Sequence, residues 1–176
     1  MKVLSWLYLL IVTIVFFPNM ASSSPVDPDP LQTVSSVDLD RYLGKWYEIA
    51  AIPQSFQTGC AGTTADYSLR SDGYIDVLNS CRLEDGTIRS ARGKAWSVDS
   101  SNAKLKVQFA GPVAGDYWII ELSDDYSYAV VGHPDRNSLW ILSRTAEISP
   151  ILLETLLTMI ESKHGYDKSK IVLTLP

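Results

Sequence analysis

The chain has 176 residues, 15 Lys and Arg against 20 Asp and Glu, and a formal net charge of −5. This acidic balance, with charges scattered rather than run together, argues against nucleic acid or a generic anionic membrane surface as partner. Two cysteines and two histidines (His133 and His164) at no shared spacing do not make a metal site, and nothing in the sequence requires a cofactor.

Lys2 is the only charge before a largely apolar run from Val3 to Phe17. Pro18 stops the run, and Ala21-Ser22-Ser23-Ser24 supplies small residues for cleavage. The pattern predicts a signal peptide over 1–24 and export to a periplasm or the exterior. The run is short for a membrane span. Residues 25–37, opening with Pro-Val-Asp-Pro-Asp-Pro, read as an extended tether, and 38–176 as a single domain.

Asp38 caps a short helical turn that leads into a first strand, Lys45 to Ile52. Short strands then follow at even spacing: 63–69, 74–82, 88–98, 104–109, 117–122, 126–131 and 139–143. Such spacing predicts a sandwich or barrel. Ser149-Pro150 opens the one strong helix, with Ile151, Leu152, Thr155, Leu156, Met159 and Ile160 as its apolar stripe and Gly165 as its stop. A last strand covers 171–175.

In an up-and-down meander the connections alternate between two ends. Those at 53–62, 83–86, 110–115 and 133–137 share one end and are mostly long; those at 71–73, 100–102 and 124–125 share the other and are tight. That is a cup. The expected fold is all-β: an eight-stranded antiparallel up-and-down barrel with one C-terminal helix packed outside.

Strand alternation, with Trp46 inward, points Glu48 and Ala50 inward as well. The same rule assigns Ala65 and Tyr67; Ile75, Val77 and Asn79; and Ala91, Gly93 and Ala95 to the lumen. It adds Leu105, Val107 and Phe109; Tyr117 and Ile119; Ala129 and Val131; and Trp140 and Leu142. Glu48 and Glu121 are expected to face inward near the base. The small residues of the 88–98 strand leave space, and aromatic walls with a few polar groups describe an apolar ligand pocket. The competing reading is a packed core with no cavity. Gly44 and Trp46 at the start of the meander, with Arg144 at its end, predict a base plug in which the guanidinium covers the indole, a contact worth about 0.5–2 kcal/mol.

Two cysteines in an exported chain predict a Cys60–Cys81 disulfide. Register is the difficulty. A two-residue Asp72-Gly73 turn sets Cys81 opposite Thr64, so either Cys60 folds back or a bulge near Gly62 shifts the register to bring the two into reach.

Gly44-x-Trp46-Tyr47, Ala65-Asp66-Tyr67-Ser68-Leu69 and Trp140-Ile141-Leu142-Ser143-Arg144 resemble the lipocalins. The resemblance is strongest to bacterial lipocalins of the outer-membrane lipoprotein type, with apolipoprotein D further off. Tyr42-Leu43-Gly44, Gly111-Pro112 and Pro134-Asp135-Arg136 extend it. It implies a calyx that binds a fatty acid, a lysophospholipid or a similar lipid without catalysis. Ligand contacts are expected from Ala65, Tyr67, Val77, Asn79, Ala95, Val107, Phe109, Tyr117, Val131 and Trp140. Barrel closure is expected from Gly44, Trp46 and Arg144. Membrane-anchored members of the family carry a lipid-modified cysteine after the signal peptide, and this sequence has none there. Membrane proximity, including at an outer membrane, is thus expected without a covalent lipid anchor, as monomer or homodimer. The alternatives are an enzyme acting on a lipid or isoprenoid and a protein that sequesters pigments or peptides. No nucleophile–base pair at readable spacing supports the enzyme.

Overall fold

The computed structural model describes residues 29–174; the expected signal peptide lies outside them. The eight barrel strands are β1 (Gly44–Ala51), β2 (Cys60–Leu69), β3 (Ile75–Leu83), β4 (Ile88–Ser97), β5 (Lys104–Gln108), β6 (Gly115–Leu122), β7 (Tyr128–Gly132) and β8 (Leu139–Ser143). Each pairs antiparallel with the next, and β1 pairs with both β2 and β8, which closes the barrel. A short ninth strand, β9 (Val172–Leu173), adds to β1 at Ala50 and Ala51. The lower half of β1 holds β2 through Gly44–Tyr47, whereas its upper half holds β9 instead. The wall therefore parts between upper β1 and upper β2.

Two helices frame this barrel. In α1 (Leu39–Tyr42) the Asp38 carboxylate accepts from the Arg41 N–H and caps the turn. In α2 (Pro150–His164) Ser149 accepts from the Leu152 N–H, and Gly165 ends the helix at φ +68°. The buried line of α2 is Leu156, Ile160 and His164, so Ile151 and Thr155, expected in the docking stripe, face solvent instead. Five residues carry Ile151 about 140° round the helix from Leu156.

There are two apolar cores. One fills the lower barrel around Trp46, Tyr42, Tyr67, Val77 and Ile119. The other lies between α2 and the outer face of the barrel, with Ile49, Ile120, Val130, Ile141, Leu156 and Ile160. Each large side chain so buried contributes about 1.5–3 kcal/mol. Part of the segment read as a tether belongs to these cores: Leu31 and Val37 are buried, and the Val34 and Val37 N–H groups donate to Ile119 and Ser101 carbonyls.

Three local features change the expected lining. In β1 the pairing with β8 slips between Glu48 and Ala50, so Ala50 turns out to the helix side rather than inward. In β6 the pairing with β7 slips between Ile119 and Glu121, so Glu121 also turns out. There its carboxylate meets the buried His164 Nε2 at 2.7 Å and the Lys163 ammonium. Glu48 and Glu121 thus lie on opposite sides of the wall and form no carboxylate pair. Third, the β2–β3 turn has three residues, Ser71 to Gly73, closed by the Arg70 N–H to Tyr74 carbonyl bond. That shifts the register by one, placing Cys81 opposite Thr63 rather than Thr64. The bulge between Cys60 and Gly62 then completes the approach, and Cys60 and Cys81 are disulfide-bonded with Cα atoms 5.3 Å apart.

Candidate functional site

The barrel is closed at the end where β1 begins. Trp46 is fully buried and donates its indole N–H to the Tyr42 carbonyl at 2.8 Å. The Arg144 guanidinium lies 3.8 Å from the Trp46 ring centroid. Its fork donates to the carbonyls of Arg41 (2.7 Å), Lys45 (2.9 Å), Tyr42 (3.1 Å) and Tyr126 (3.3 Å). Burial lowers the Arg144 pKa, with nearby Tyr42 and Asp66 opposing that shift. Gly44 has φ +89°, a conformation that a side chain would strain. Sequence reasoning missed a second contact of this kind, Arg41 4.0 Å over the Tyr126 ring. The Tyr126 hydroxyl in turn accepts from the Asp38 N–H.

Above the plug, the Tyr117 hydroxyl meets those of Tyr42 and Tyr67 at 2.8 and 3.0 Å. Burial is the main cause that pushes the Tyr67 pKa up to about 12 and holds Tyr42 and Tyr117 well above 10.0. The cluster is neutral and bonds to itself. Between Tyr67, Tyr117, Ala95 and Val107 only about 10 Å³ remains open, room for about one water. The lower barrel is therefore packed, as the competing reading required. Ala65, Tyr67, Val77, Ala95, Val107, Tyr117 and Val131, all expected to line the calyx, sit in or against this packed part.

Higher up, the inward row opens. Along β4, Ala95 is 2% exposed, Gly93 partly buried and Ala91 exposed. β5 ends at Gln108 opposite Lys94, so Ala91 lies above the level at which β5 closes the wall, and β4 is exposed from Ile88 to Arg92. Gly93 is required here: a Cβ would come within 2.6 Å of the Gln108 carbonyl and 2.9 Å of the Phe109 ring. Phe109, just past β5, thereby lies against the lumen wall at the rim. Asn79 Oδ1 and Thr63 Oγ1, on the same upper wall, are buried and lack a hydrogen-bond partner among the described residues. Such atoms suit a ligand that carries its own polar group.

The seam between upper β1 and upper β2 is filled by a chain of hydrogen bonds. Trp140 donates its indole N–H to Gln57 Oε1 at 3.2 Å, and Gln57 Nε2 donates to Glu48 at 2.6 Å. Thr174 donates to the other Glu48 oxygen. Glu48 thus sits at the mouth, not near the base. Burial raises its pKa, with the Thr174 and Gln57 hydrogen bonds pulling the other way. Arg89 completes the mouth, donating to the Thr58 carbonyl at 2.9 Å. Neither Gln57 nor Arg89 was foreseen, because a loop that folds back leaves no periodic signal.

Comparison with known proteins agrees with this geometry. A Lipocalin-like domain matches residues 37–176. The chain is 42% identical to outer membrane lipoprotein Blc of Citrobacter freundii over 158 residues, which is 89% of each protein. It is 38% identical to apolipoprotein D of Mus musculus, over 78% of this chain and 76% of that one. Lobster apocrustacyanin A1 shares the fold, with a TM-score of 0.63 over 84% of this chain and 92% of the other at 16% identity. The chain belongs to the lipocalin family.

Proposed function

We propose that this lipocalin binds and carries a small hydrophobic ligand of the fatty acid or lysophospholipid class, without catalysis, in the upper half of its barrel. The observation that carries the reading is the pair of buried polar atoms on the upper wall, Asn79 Oδ1 and Thr63 Oγ1, that have no partner among the described residues. An acyl chain would lie against Gly93, Phe109 and Trp140. Asn79 and Thr63 would meet the ligand's polar group, which favours a lipid bearing a hydroxyl over a bare hydrocarbon. Tyr67 and Tyr117 would form the floor, and the other five packed lining residues would hold that floor rather than wrap the ligand.

The apolar leader and the disulfide support export, and the outer membrane lipoprotein relatives favour a place beside a membrane. Residues 1–24 would then be removed. The experiment is organic extraction of the purified protein followed by mass spectrometry, paired with a lysophospholipid titration that follows tryptophan emission. A bound lipid, and a quench that Trp140→Phe reduces, are expected. No extractable lipid and no quench with any lipid would refute the reading.

A further inference from the structure

The mouth segment 53–59, between β1 and β2, contains no buried residue. Phe56 at its centre is 69% exposed, so apolar packing does not fix its place. Polar tethers do. Gln54 Nε2 donates to the Ile52 and Asn137 carbonyls, Gln57 links Glu48 to Trp140, and Arg89 donates to the Thr58 carbonyl. The covalent tether is the Cys60–Cys81 disulfide, which fastens the far end of the segment to β3. A stretch with so few buried contacts opens locally with ease, and the disulfide is its strongest restraint.

The two sulfurs have different surroundings. Register places Arg89 of β4 opposite Cys81, and its Nη2 lies 3.8 Å from Cys81 Sγ. The same nitrogen donates to the Thr58 carbonyl at 2.9 Å, which holds the guanidinium in place. Cys60 is flanked by Gly59, Ala61 and Gly62, residues of little bulk, and both cysteines are partly exposed. A disulfide opens when a thiolate attacks one sulfur and the other departs, and the better-stabilised thiolate departs faster. A fixed cation beside Cys81 stabilises that thiolate.

We infer that the Cys60–Cys81 bond is a thiol-operated switch on the mouth segment, opened by attack at Cys60 with Cys81 departing toward Arg89. A small monothiolate bonds to Cys60 Sγ as the Cys60–Cys81 bond breaks, and the electron pair passes to Cys81. A second monothiolate then attacks the external sulfur of this mixed disulfide. Cys60 is released, and the two small thiols end joined as their own disulfide. The protein gains two electrons, and the two protons given up by the small thiols balance the two cysteines. With its covalent tether gone, the segment carries Gln57 away from Glu48 and Trp140, and the seam beside β1 opens. This switch stands whatever the calyx carries.

The test uses the full chain in native buffer, with 2-mercaptoethanol as the monothiol. Early samples are quenched with excess N-ethylmaleimide and mapped as unreduced peptides. The added thiol should sit on Cys60 and the maleimide on Cys81, at least about tenfold over the reverse arrangement. Arg89→Gln should slow the exchange about tenfold, and Arg89→Lys, which keeps the charge, should restore most of it. Full reduction should shift tryptophan emission, and Trp140→Phe should remove most of that shift, because Trp140 loses its bond to Gln57. The adduct map needs no variant, so it decides even where Arg89→Gln fails to fold. Adducts on Cys81 or shared equally, or exchange only in urea that unfolds the chain, would overturn the inference. So would an unaffected Arg89→Gln, or reduction that leaves the Trp140 emission unmoved.

Discussion

Arg144 covers the buried face of Trp46 at 3.8 Å and satisfies four backbone carbonyls from three segments of the chain. Among the described residues no carboxylate makes ion-pair contact with it, so the guanidinium is held by a ring and by carbonyl dipoles. Arg144→Ala should cost about 1–3 kcal/mol in urea unfolding through the lost cation–π contact and lost packing. Arg144→Lys should rescue little of it, because an ammonium does not reproduce the planar fork. A mutant as stable as the parent would remove the plug from the account.

The tyrosine cluster makes stability depend on alkaline pH. The folded-state pKa of Tyr67 is about 12 against an ordinary 10.0, and those of Tyr42 and Tyr117 are raised as well. A raised pKa means that the folded state holds the proton longer than the unfolded chain. The stabilising contribution is complete below pH 10 and is lost as pH climbs through 10 toward 12. Phenolate absorbance should therefore show a late group of tyrosines that ionise with unfolding. In Tyr117→Phe that coupling should shrink; three tyrosines titrating normally in the folded protein would contradict the cluster.

Glu48 acts with the opposite consequence near neutrality. Burial raises its pKa above 4.5, so the ionised form is harder to accommodate in the fold than in the open chain. Its cost is present at neutral pH and is relieved as pH falls through the raised pKa toward the unfolded value. Glu48→Gln should keep much of the link to Gln57 and Thr174. It should be at least as stable as the parent at pH 7, with a flatter stability curve on acidification. Marked destabilisation at pH 7 would show that the charge itself holds the seam.

The period-two pattern made the barrel legible: inward Tyr67 and Leu105 alternate with polar neighbours, Asp66 and Ser68 or Lys104 and Lys106, and the distant Trp46 and Arg144 stand out by type. Bulges were not legible. Ala50 and Glu121 sit on strands that look regular in sequence, and a single extra residue reverses their faces. The β2–β3 turn shows the same limit, since Asp72-Gly73 serves a two- or a three-residue loop and only tertiary pairing chooses. Composition also says little about filling. Tyr42 from α1 enters from below and occupies the lower lumen.

The Cys60–Cys81 bond closes a loop with a sequence separation of 21. Replacing both residues by serine should cost about 3 kcal/mol in the chain-entropy model. Because the bond lies at the mouth end of β2 and β3, the loss should appear first as faster hydrogen exchange there, not at the plug. Unreduced peptide mapping that finds free thiols in protein from an oxidising compartment would contradict the pairing.

The central claim is that ligand occupies the upper lumen, and Ala91 tests it most directly because it stands on the inward row above the packed core. Calorimetric titration with monomeric lysophosphatidylcholine should show one site per chain in the parent. Ala91→Trp, which fills that space without entering the packed core, should bind at least about tenfold more weakly with an unchanged thermal midpoint. Equal binding by the two proteins, or no binding by the parent to this or any other lipid, would contradict the account.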